Sequence, residues 1–115
     1  GRVPAHIDTR LVVEPGVEVA PGYRWLVFRV AQEALRNVVQ HSRAQHVVVA
    51  MRHAESGTVI TIDDDGVGFS PEKDPIEPGH MGLSLLSDMA TAAGGVVFIR
   101  SAPGKGTTIR LEVPE

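Results

Sequence analysis

The sequence predicts an α+β fold, a two-layer α/β sandwich in which a mixed, mostly antiparallel sheet carries helices on one face. Two kinds of segment support this prediction. Five short segments rich in β-branched residues have the length of strands, and two longer segments repeat apolar residues at helical spacing. The chain has 115 residues, 43% apolar and 22% charged, which suffices for one hydrophobic core and hardly for two.

The predicted elements alternate along the chain without internal repeats. Pro21 suits the start of the first helix, and Gly94-Gly95 is a stop signal for the second. Strands are predicted over residues 6–14, 45–53, 59–64, 96–101 and 107–113, and helices over residues 23–42 and 81–93. Apolar spacing on the first helix predicts a core that contains Trp25 and a buried stripe of Phe28, Ala31, Leu35, Val38 and Val39.

Composition excludes several classes of function. The formal net charge of −3 disfavours a nucleic-acid or anionic-membrane surface as the main partner. The chain has no cysteine, so it can hold neither a disulfide framework nor a thiolate site. No apolar run approaches the length that spans a membrane. The chain opens on Gly1, and residues 1–7 do not resemble a signal peptide. We expect residues 1–115 to be one domain excised from a longer protein, although a processed N-terminus would give the same first residue.

The end of the third predicted strand holds three aspartates followed by a Gly-x-Gly turn. Strand parity places Asp64 on the same face as Ile60 and Ile62, and therefore aims it at the core. A carboxylate in an apolar interior needs a hydrogen-bonded partner, which a ligand N–H can supply. Gly66 and Gly68 allow positive φ and a close approach of ligand to backbone. The same residues also suit an acidic β-turn that closes a hairpin, and this segment alone leaves both interpretations open.

The first helix carries a polar stripe at four-residue spacing, composed of Arg29, Glu33, Asn37 and His41. Glu33 and Asn37 form a pair of oxygen ligands one helical turn apart. Mg²⁺ prefers one or two protein oxygens together with phosphate oxygens and waters. Asn37 can ligate such a cation directly, and Glu33 can hold a metal-bound water. A solvated helix face is the alternative, and it suits Arg29 best.

Two further glycine segments complete the pattern. Gly79-His80-Met81-Gly82-Leu83 lies at a predicted loop-to-helix junction, where free N–H groups favour anions, although a simple hinge would have the same composition. Gly104-Lys105-Gly106-Thr107-Thr108 is compatible with an ordinary tight hairpin turn. Four such segments in one short domain favour a single nucleotide site over four unrelated coincidences.

In this order, the segments resemble the ATP-binding domain of the family that unites histidine kinases, DNA gyrase, Hsp90 chaperones and MutL, whose fold is the Bergerat fold. The segment from Gln32 to His41 resembles the N box, and that from Asp64 to Phe69 the first glycine box. The glycine segments at Gly79 and Gly104 resemble the later boxes. Gln-Glu-Ala-Leu and Gly-His-x-Gly-Leu are most similar to sensor histidine kinases of two-component systems.

The resemblance implies a role for each site residue. Asp64 would accept a hydrogen bond from the adenine amine, Glu33 would be the catalytic carboxylate, and Asn37 would ligate Mg²⁺. The other residues implied in ATP binding are His41, Gly66, Gly68, Gly79, His80, Met81, Gly82, Leu83 and Thr107. The lid over the nucleotide would span residues 70–79.

The resemblance also implies partners and a location. These are ATP, a phospho-accepting dimerisation domain of the same protein and a response regulator, with no direct contact to nucleic acid or membrane. The domain would lie in the cytoplasm, whether or not its parent is membrane-anchored. Gln40 stands where many relatives have Lys or Arg, and no histidine here precedes an acidic residue as the phospho-acceptor usually does. We therefore expect this chain to bind ATP without phosphorylating itself. A serine kinase of the anti-sigma-factor type and an ATP-binding module without turnover are the alternatives.

Overall fold

The computed structural model of the chain describes residues 7–39, 43–55, 57–68 and 81–114, with the backbone alone for residues 81–84. Within these ranges, five strands and two helices follow one another, and a 3₁₀ turn at Pro21–Tyr23 precedes the first helix. The elements are β1 (Asp8–Val13), α1 (Arg24–Asn37), β2 (His46–Ala54), β3 (Gly57–Asp64), α2 (Met81–Ala93), β4 (Val96–Ser101) and β5 (Thr107–Val113).

The five strands form one sheet in the order β1-β2-β3-β5-β4. β1 runs parallel to β2, whereas β2 with β3, β3 with β5, and β4 with β5 are antiparallel. The predicted mixed, mostly antiparallel sheet is therefore confirmed. In this order the end of β3 lies beside the start of β2 on one side and the start of β5 on the other.

The core lies between one face of the sheet and the two helices. Burial alternates along the strands, and β5 shows this most clearly. Its odd-numbered residues from Thr107 to Val113 are buried, and the intervening ones are half-buried. Apolar side chains of both helices join the same cluster. The cluster contains Leu26, Val30, Ala34 and Val38 from α1 and the turn after it, Leu86 and Ala90 from α2, and Val47, Ile60, Ile62, Val97, Ile109, Leu111 and Val113 from the strands.

The predicted bounds agree best in the second half of the chain. α2, β4 and β5 begin and end at the predicted residues. The first helix is shorter than predicted, because a 3₁₀ turn replaces its start and regular α-helix ends at Asn37. Residues 38 and 39 continue in the wider turn of a π-helix. Neither described helix is long and apolar enough to span a membrane.

The predicted buried stripe of α1 is partly wrong. Val38 is buried, and Leu35 packs against the core, but Phe28 is 64% exposed and Val39 is 38% exposed. Trp25, predicted in the core, is 60% exposed. The helix is rotated so that the row formed by Leu26, Val30, Ala34 and Asn37 faces the sheet, and this rotation turns Trp25 and Phe28 towards solvent.

This rotation predicts unequal effects for two truncations on α1. Leu26→Ala should lower the free energy of unfolding by about 2–5 kcal/mol, because it leaves a cavity in the core. Phe28→Ala removes a larger side chain that is mostly exposed, so it should lower the free energy by less than about 1 kcal/mol. Urea denaturation of both variants measures the difference. A loss for Phe28→Ala as large as that for Leu26→Ala would contradict the observed rotation.

Candidate functional site

The end of β3 places a half-buried carboxylate at the edge of the core. Asp64 continues the face of Ile60 and Ile62, as strand parity predicts. Its Oδ1 accepts a hydrogen bond of 2.8 Å from the backbone N–H of Gly66. In the sheet, Asp64 is registered with Thr107 of β5. The turn after β3 is thus ordered around this carboxylate.

Burial raises the pKa of Asp64 above its ordinary value of 3.8. The backbone N–H groups of Gly66 and Thr107 act in the opposite direction, and the charges of Asp65 and Asp63 add to the rise. The two N–H groups therefore offset the desolvation of the carboxylate only in part. A further N–H donor from a ligand would stabilise the ionised carboxylate.

The first glycine turn packs against the β4–β5 turn through a glycine on each side. Gly68 has φ +65°, and a Cβ there would lie 2.1 Å from the carbonyl oxygen of Ala102. Gly106 has φ +76°, and a Cβ there would lie 2.1 Å from the carbonyl oxygen of Asp64. No real Cβ tolerates such distances, so both positions require glycine for steric reasons as well as for φ.

The sequence prediction attributed Gly66 and Gly68 to close approach by a ligand. The structure shows that the group approaching Gly68 is protein backbone, and that of the two residues only Gly68 has positive φ. Gly66 is buried, and its N–H bonds to Asp64. The β4–β5 turn adds a hydrogen bond of 2.7 Å from the N–H of Gly104 to the carbonyl oxygen of Val67. The turn after β3 and the β4–β5 turn thus pack together around Asp64.

Thr107 lies beside Asp64 at the start of β5 and is 3% exposed. Its Oγ1 lies 2.8 Å from Oγ of Ser101, which also donates to the carbonyl oxygen of Gly106 at 3.0 Å. The Thr107 hydroxyl therefore has a protein partner, while its backbone N–H faces the Asp64 carboxylate. The sequence prediction missed Ser101, because only the β4–β5 register reveals the contact.

Asn37 supplies an unpartnered acceptor at the end of α1. The residue is 6% exposed, and none of the described residues forms a hydrogen bond with its Oδ1. A buried carbonyl oxygen without a partner costs about 1–3 kcal/mol. Glu33 precedes it by one helical turn and is half-buried, whereas Arg29 donates to Gln32 at 3.1 Å. The free amide oxygen of Asn37 and the Glu33 carboxylate fit the ligand preference of Mg²⁺.

An additional aspartate connects the end of β3 to the segment that follows α1. Oδ1 of Asp65 accepts hydrogen bonds of 2.9 Å from the backbone N–H groups of Gln45 and His46. Its Oδ2 lies 2.6 Å from Nδ1 of His46, and its own N–H donates to the carbonyl oxygen of His46 at 3.3 Å. We call this set of contacts the Asp65 bridge. The backbone N–H and then the ring of His46 lower the pKa of Asp65 to about 2.

The structure therefore brings together Asp64, Gly66, Gly68 and Thr107, and it places Glu33 and Asn37 on one side of α1. For Met81, Gly82 and Leu83 it describes the backbone, which forms the first turn of α2. The predicted residues His41, Gly79 and His80 lie outside the described residues, as do Gln40 and the lid over residues 70–79.

A family model described as histidine kinase-, DNA gyrase B- and HSP90-like ATPase matches residues 23–115. The chain belongs to this ATPase family. Its similar curated proteins include the sensor histidine kinase LiaS of Bacillus subtilis, 35% identical over 96 residues, which are 84% of this chain and 26% of LiaS. The oxygen sensor histidine kinase NreB of Staphylococcus carnosus is 36% identical over 89 residues, which are 77% of this chain and 25% of NreB. The chain thus spans about a quarter of the length of these two relatives.

Two solved structures share the fold of this chain. The ATP binding domain of PrrB from Mycobacterium tuberculosis has a TM-score of 0.70 at 26% identity, over 96% of this chain and 82% of that one. The histidine kinase AdeS of Acinetobacter baumannii has a TM-score of 0.72 at 19% identity, over 96% of this chain and 56% of that one. The predicted fold is therefore confirmed.

The glycine contacts around Asp64 predict a difference between two alanine substitutions in the β4–β5 turn. Gly104 and Gly106 both have φ +76°, but a Cβ at Gly104 meets nothing within 4 Å. Gly104→Ala should therefore cost only the left-handed backbone strain, about 1–2 kcal/mol. Gly106→Ala should cost at least roughly 2 kcal/mol more, because its Cβ overlaps the Asp64 carbonyl. Urea denaturation of the pair measures this difference, and equal losses would contradict the observed packing.

Proposed function

We propose that this chain binds Mg²⁺-ATP and is the catalytic domain of a sensor histidine kinase. It would donate the γ-phosphoryl group to a histidine on a dimerisation domain outside this chain, for signalling to a response regulator. The observation that carries the proposal is the buried Asn37 Oδ1, which has no partner among the described residues. Membership of the ATPase family and the sensor-kinase relatives support it.

Adenine recognition is assigned to Asp64. The exocyclic amine of adenine is the donor that a half-desolvated carboxylate lacks, and it would add to the N–H groups of Gly66 and Thr107. Guanine presents a carbonyl at the same position, which would face the carboxylate as a second acceptor. The site should therefore prefer ATP to GTP, because a mismatched nucleotide leaves a buried charge without its donor.

Binding of the ATP phosphates and their cation is assigned to the N box on α1. Asn37 would ligate Mg²⁺ through Oδ1, and Glu33 would hold a metal-bound water. The cation, when bound, neutralises charge on the phosphates, and phosphoryl transfer depends mainly on such neutralisation and on positioning. The implied contacts of His41, Gly79 and His80, and of Met81, Gly82 and Leu83 at the start of α2, would hold the phosphates and belong to the same proposal.

Glu33 is the proposed general base, which accepts a proton from the phospho-accepting histidine. As the acceptor histidine nitrogen forms a bond to the γ-phosphorus, the bond from that phosphorus to the bridging oxygen breaks and ADP leaves. The imidazole ring must lose the proton of its other nitrogen in this exchange, and the Glu33 carboxylate can accept it. We expect no acid-labile phosphohistidine when this chain is incubated alone with ATP, because the phospho-accepting histidine lies outside it.

A serine kinase of the anti-sigma-factor type would use the same groups on a different acceptor. The two relatives described above are sensor histidine kinases, and this favours histidine as the acceptor. A module that binds ATP without turnover would need Asp64 and Asn37 for binding, but it would not need Glu33 as a proton acceptor. The half-buried position of Glu33 one turn before Asn37 favours an active site.

Calorimetric titration of nucleotide into this chain tests the proposal. We expect ATP to bind more tightly than GTP, and Mg²⁺ to strengthen the binding of ATP. Asn37→Ala should abolish the increase in ATP affinity that Mg²⁺ gives. Asp64→Asn should lower ATP affinity roughly tenfold to a hundredfold, as expected for a hydrogen bond to a charged group.

Asp63→Asn is the matched control for Asp64→Asn. Asp63 is exposed on the opposite side of the strand and accepts a hydrogen bond from Thr108, so its substitution should leave ATP affinity unchanged. Equal affinities for ATP and GTP, or equal losses in the two aspartate variants, would contradict the assigned adenine site. If Mg²⁺ still increased the ATP affinity of Asn37→Ala, the assignment of Asn37 as a metal ligand would be contradicted.

A further inference from the structure

Asp65 is the strongest candidate for a role that the proposed site does not use. It lies next to Asp64 in sequence but points to the opposite side of the strand, as its parity requires. Although Asp65 is an exposed residue, its carboxylate accepts three hydrogen bonds, two from backbone N–H groups and one from a ring nitrogen. An exposed carboxylate ordinarily bonds to water. Three protein donors converge on this one, which indicates that Asp65 has a structural role.

The contacts of Asp65 fix two different segments to each other. Its donors are Gln45, which ends the α1–β2 connection, and His46, the first residue of β2. Val38 and Ala44 of that connection belong to the same core cluster as Val47 of β2 and Ile62 of β3. The Asp65 bridge therefore ties the turn that carries Asp64 to the segment between α1, which carries Asn37, and β2.

The opposite flank of the Asp64 turn is fixed independently. The β4–β5 turn holds it through the N–H of Gly104 and through the tight contact of Gly106 with the Asp64 carbonyl. On the β2 flank, the strand pairing ends at Val47 and Asp64, and the Asp65 bridge, including the N–H of Asp65 itself, extends the contact into the turn. Without it, Asp64 would still pair with Val47 in the sheet, but the turn that follows Asp64 would be fixed only from the β5 side. The direction of the Asp64 carboxylate would then be less well defined.

We infer that Asp65 is a positioning residue for adenine recognition: by bridging to Gln45 and His46 it holds the Asp64 carboxylate in the direction that the adenine amine requires. This inference rests on the proposed function. Asp65 does not touch the base, and it acts through Asp64. A hydrogen bond to a charged group is directional, so a small misorientation weakens it while leaving the rest of nucleotide binding intact.

The chemistry of the bridge identifies a conservative replacement. An ionised carboxylate only accepts, so Nδ1 of His46 carries the proton in the wild type. In Asp65→Asn, the amide oxygen can still accept from both backbone N–H groups. The amide NH₂ can donate to Nδ1 once the neutral ring takes its other tautomer. Asp65→Asn can thus keep the geometry of the bridge without the charge, whereas Asp65→Ala removes both.

The test compares ATP with purine riboside triphosphate, which lacks the exocyclic amine and cannot use the Asp64 contact. Both nucleotides are titrated calorimetrically into this chain and its variants. In Asp65→Ala we expect the preference for ATP to fall about tenfold, with the affinity for purine riboside triphosphate nearly unchanged. In Asp65→Asn and in the neighbouring control Asp63→Ala, the preference should stay within about twofold of the wild type.

His46→Ala serves as a second variant in case Asp65→Ala does not fold. It removes the ring bond and keeps both backbone donors, so the preference for ATP should fall about threefold. A preference that persists in Asp65→Ala, or in His46→Ala if only that variant folds, would overturn the inference. An equal fall in Asp65→Ala and Asp65→Asn would also overturn it, because the charge would then matter and not the position. A wild-type chain that binds both nucleotides equally would overturn the adenine site of the proposed function, and this inference with it.

Discussion

The partly desolvated carboxylate of Asp64 is the group on which the arrangement of this site depends. An aspartate at the edge of an apolar core is unfavourable unless donors surround it, and here two backbone N–H groups meet that need in part. To supply them, the turn after β3 must approach the start of β5 so closely that Gly68 and Gly106 have no space for a Cβ. The glycine motifs are therefore a steric consequence of holding one carboxylate between two backbone turns.

The two residues assigned to the ends of the proposed site are each incompletely satisfied. The pKa of Asp64 stays raised, and the Oδ1 of Asn37 has no partner among the described residues. Each of these groups lowers the stability of the chain without a ligand, since a buried polar atom has lost water and gained too little in return. A nucleotide with its cation would supply the missing amine at one end and the missing positive charge at the other. The proposed binding site and the local loss of stability would thus have the same physical origin.

Parts of this arrangement could be predicted from the sequence, and the reasons are local. The period of two in β3 placed Asp64 on the core face, and Gly94-Gly95 marked the end of α2. The rotation of α1 could not be obtained in the same way, because apolar residues lie on more than one side of that helix. Phe28 and Leu26 are both apolar, and only the packing of the helix against the sheet determines which of them is buried.

The Asp65 bridge was missed for a different reason. Asp65 and His46 are 19 residues apart, and their contact depends on the register of β2 against β3. Alternation assigns each residue to a face, but it does not say which residues of two strands stand opposite each other. The same limit hid Ser101, whose contact with Thr107 follows from the register of β4 and β5.

The central claim is that Asp64 and Asn37 hold the two ends of one nucleotide. A crystal structure of this chain with Mg²⁺ and a non-hydrolysable ATP analogue tests it most directly. The account predicts the adenine amine within hydrogen-bond distance of the Asp64 carboxylate, and Oδ1 of Asn37 among the ligands of the cation. A nucleotide bound away from Asp64, or a cation without Asn37 in its coordination, would contradict the account.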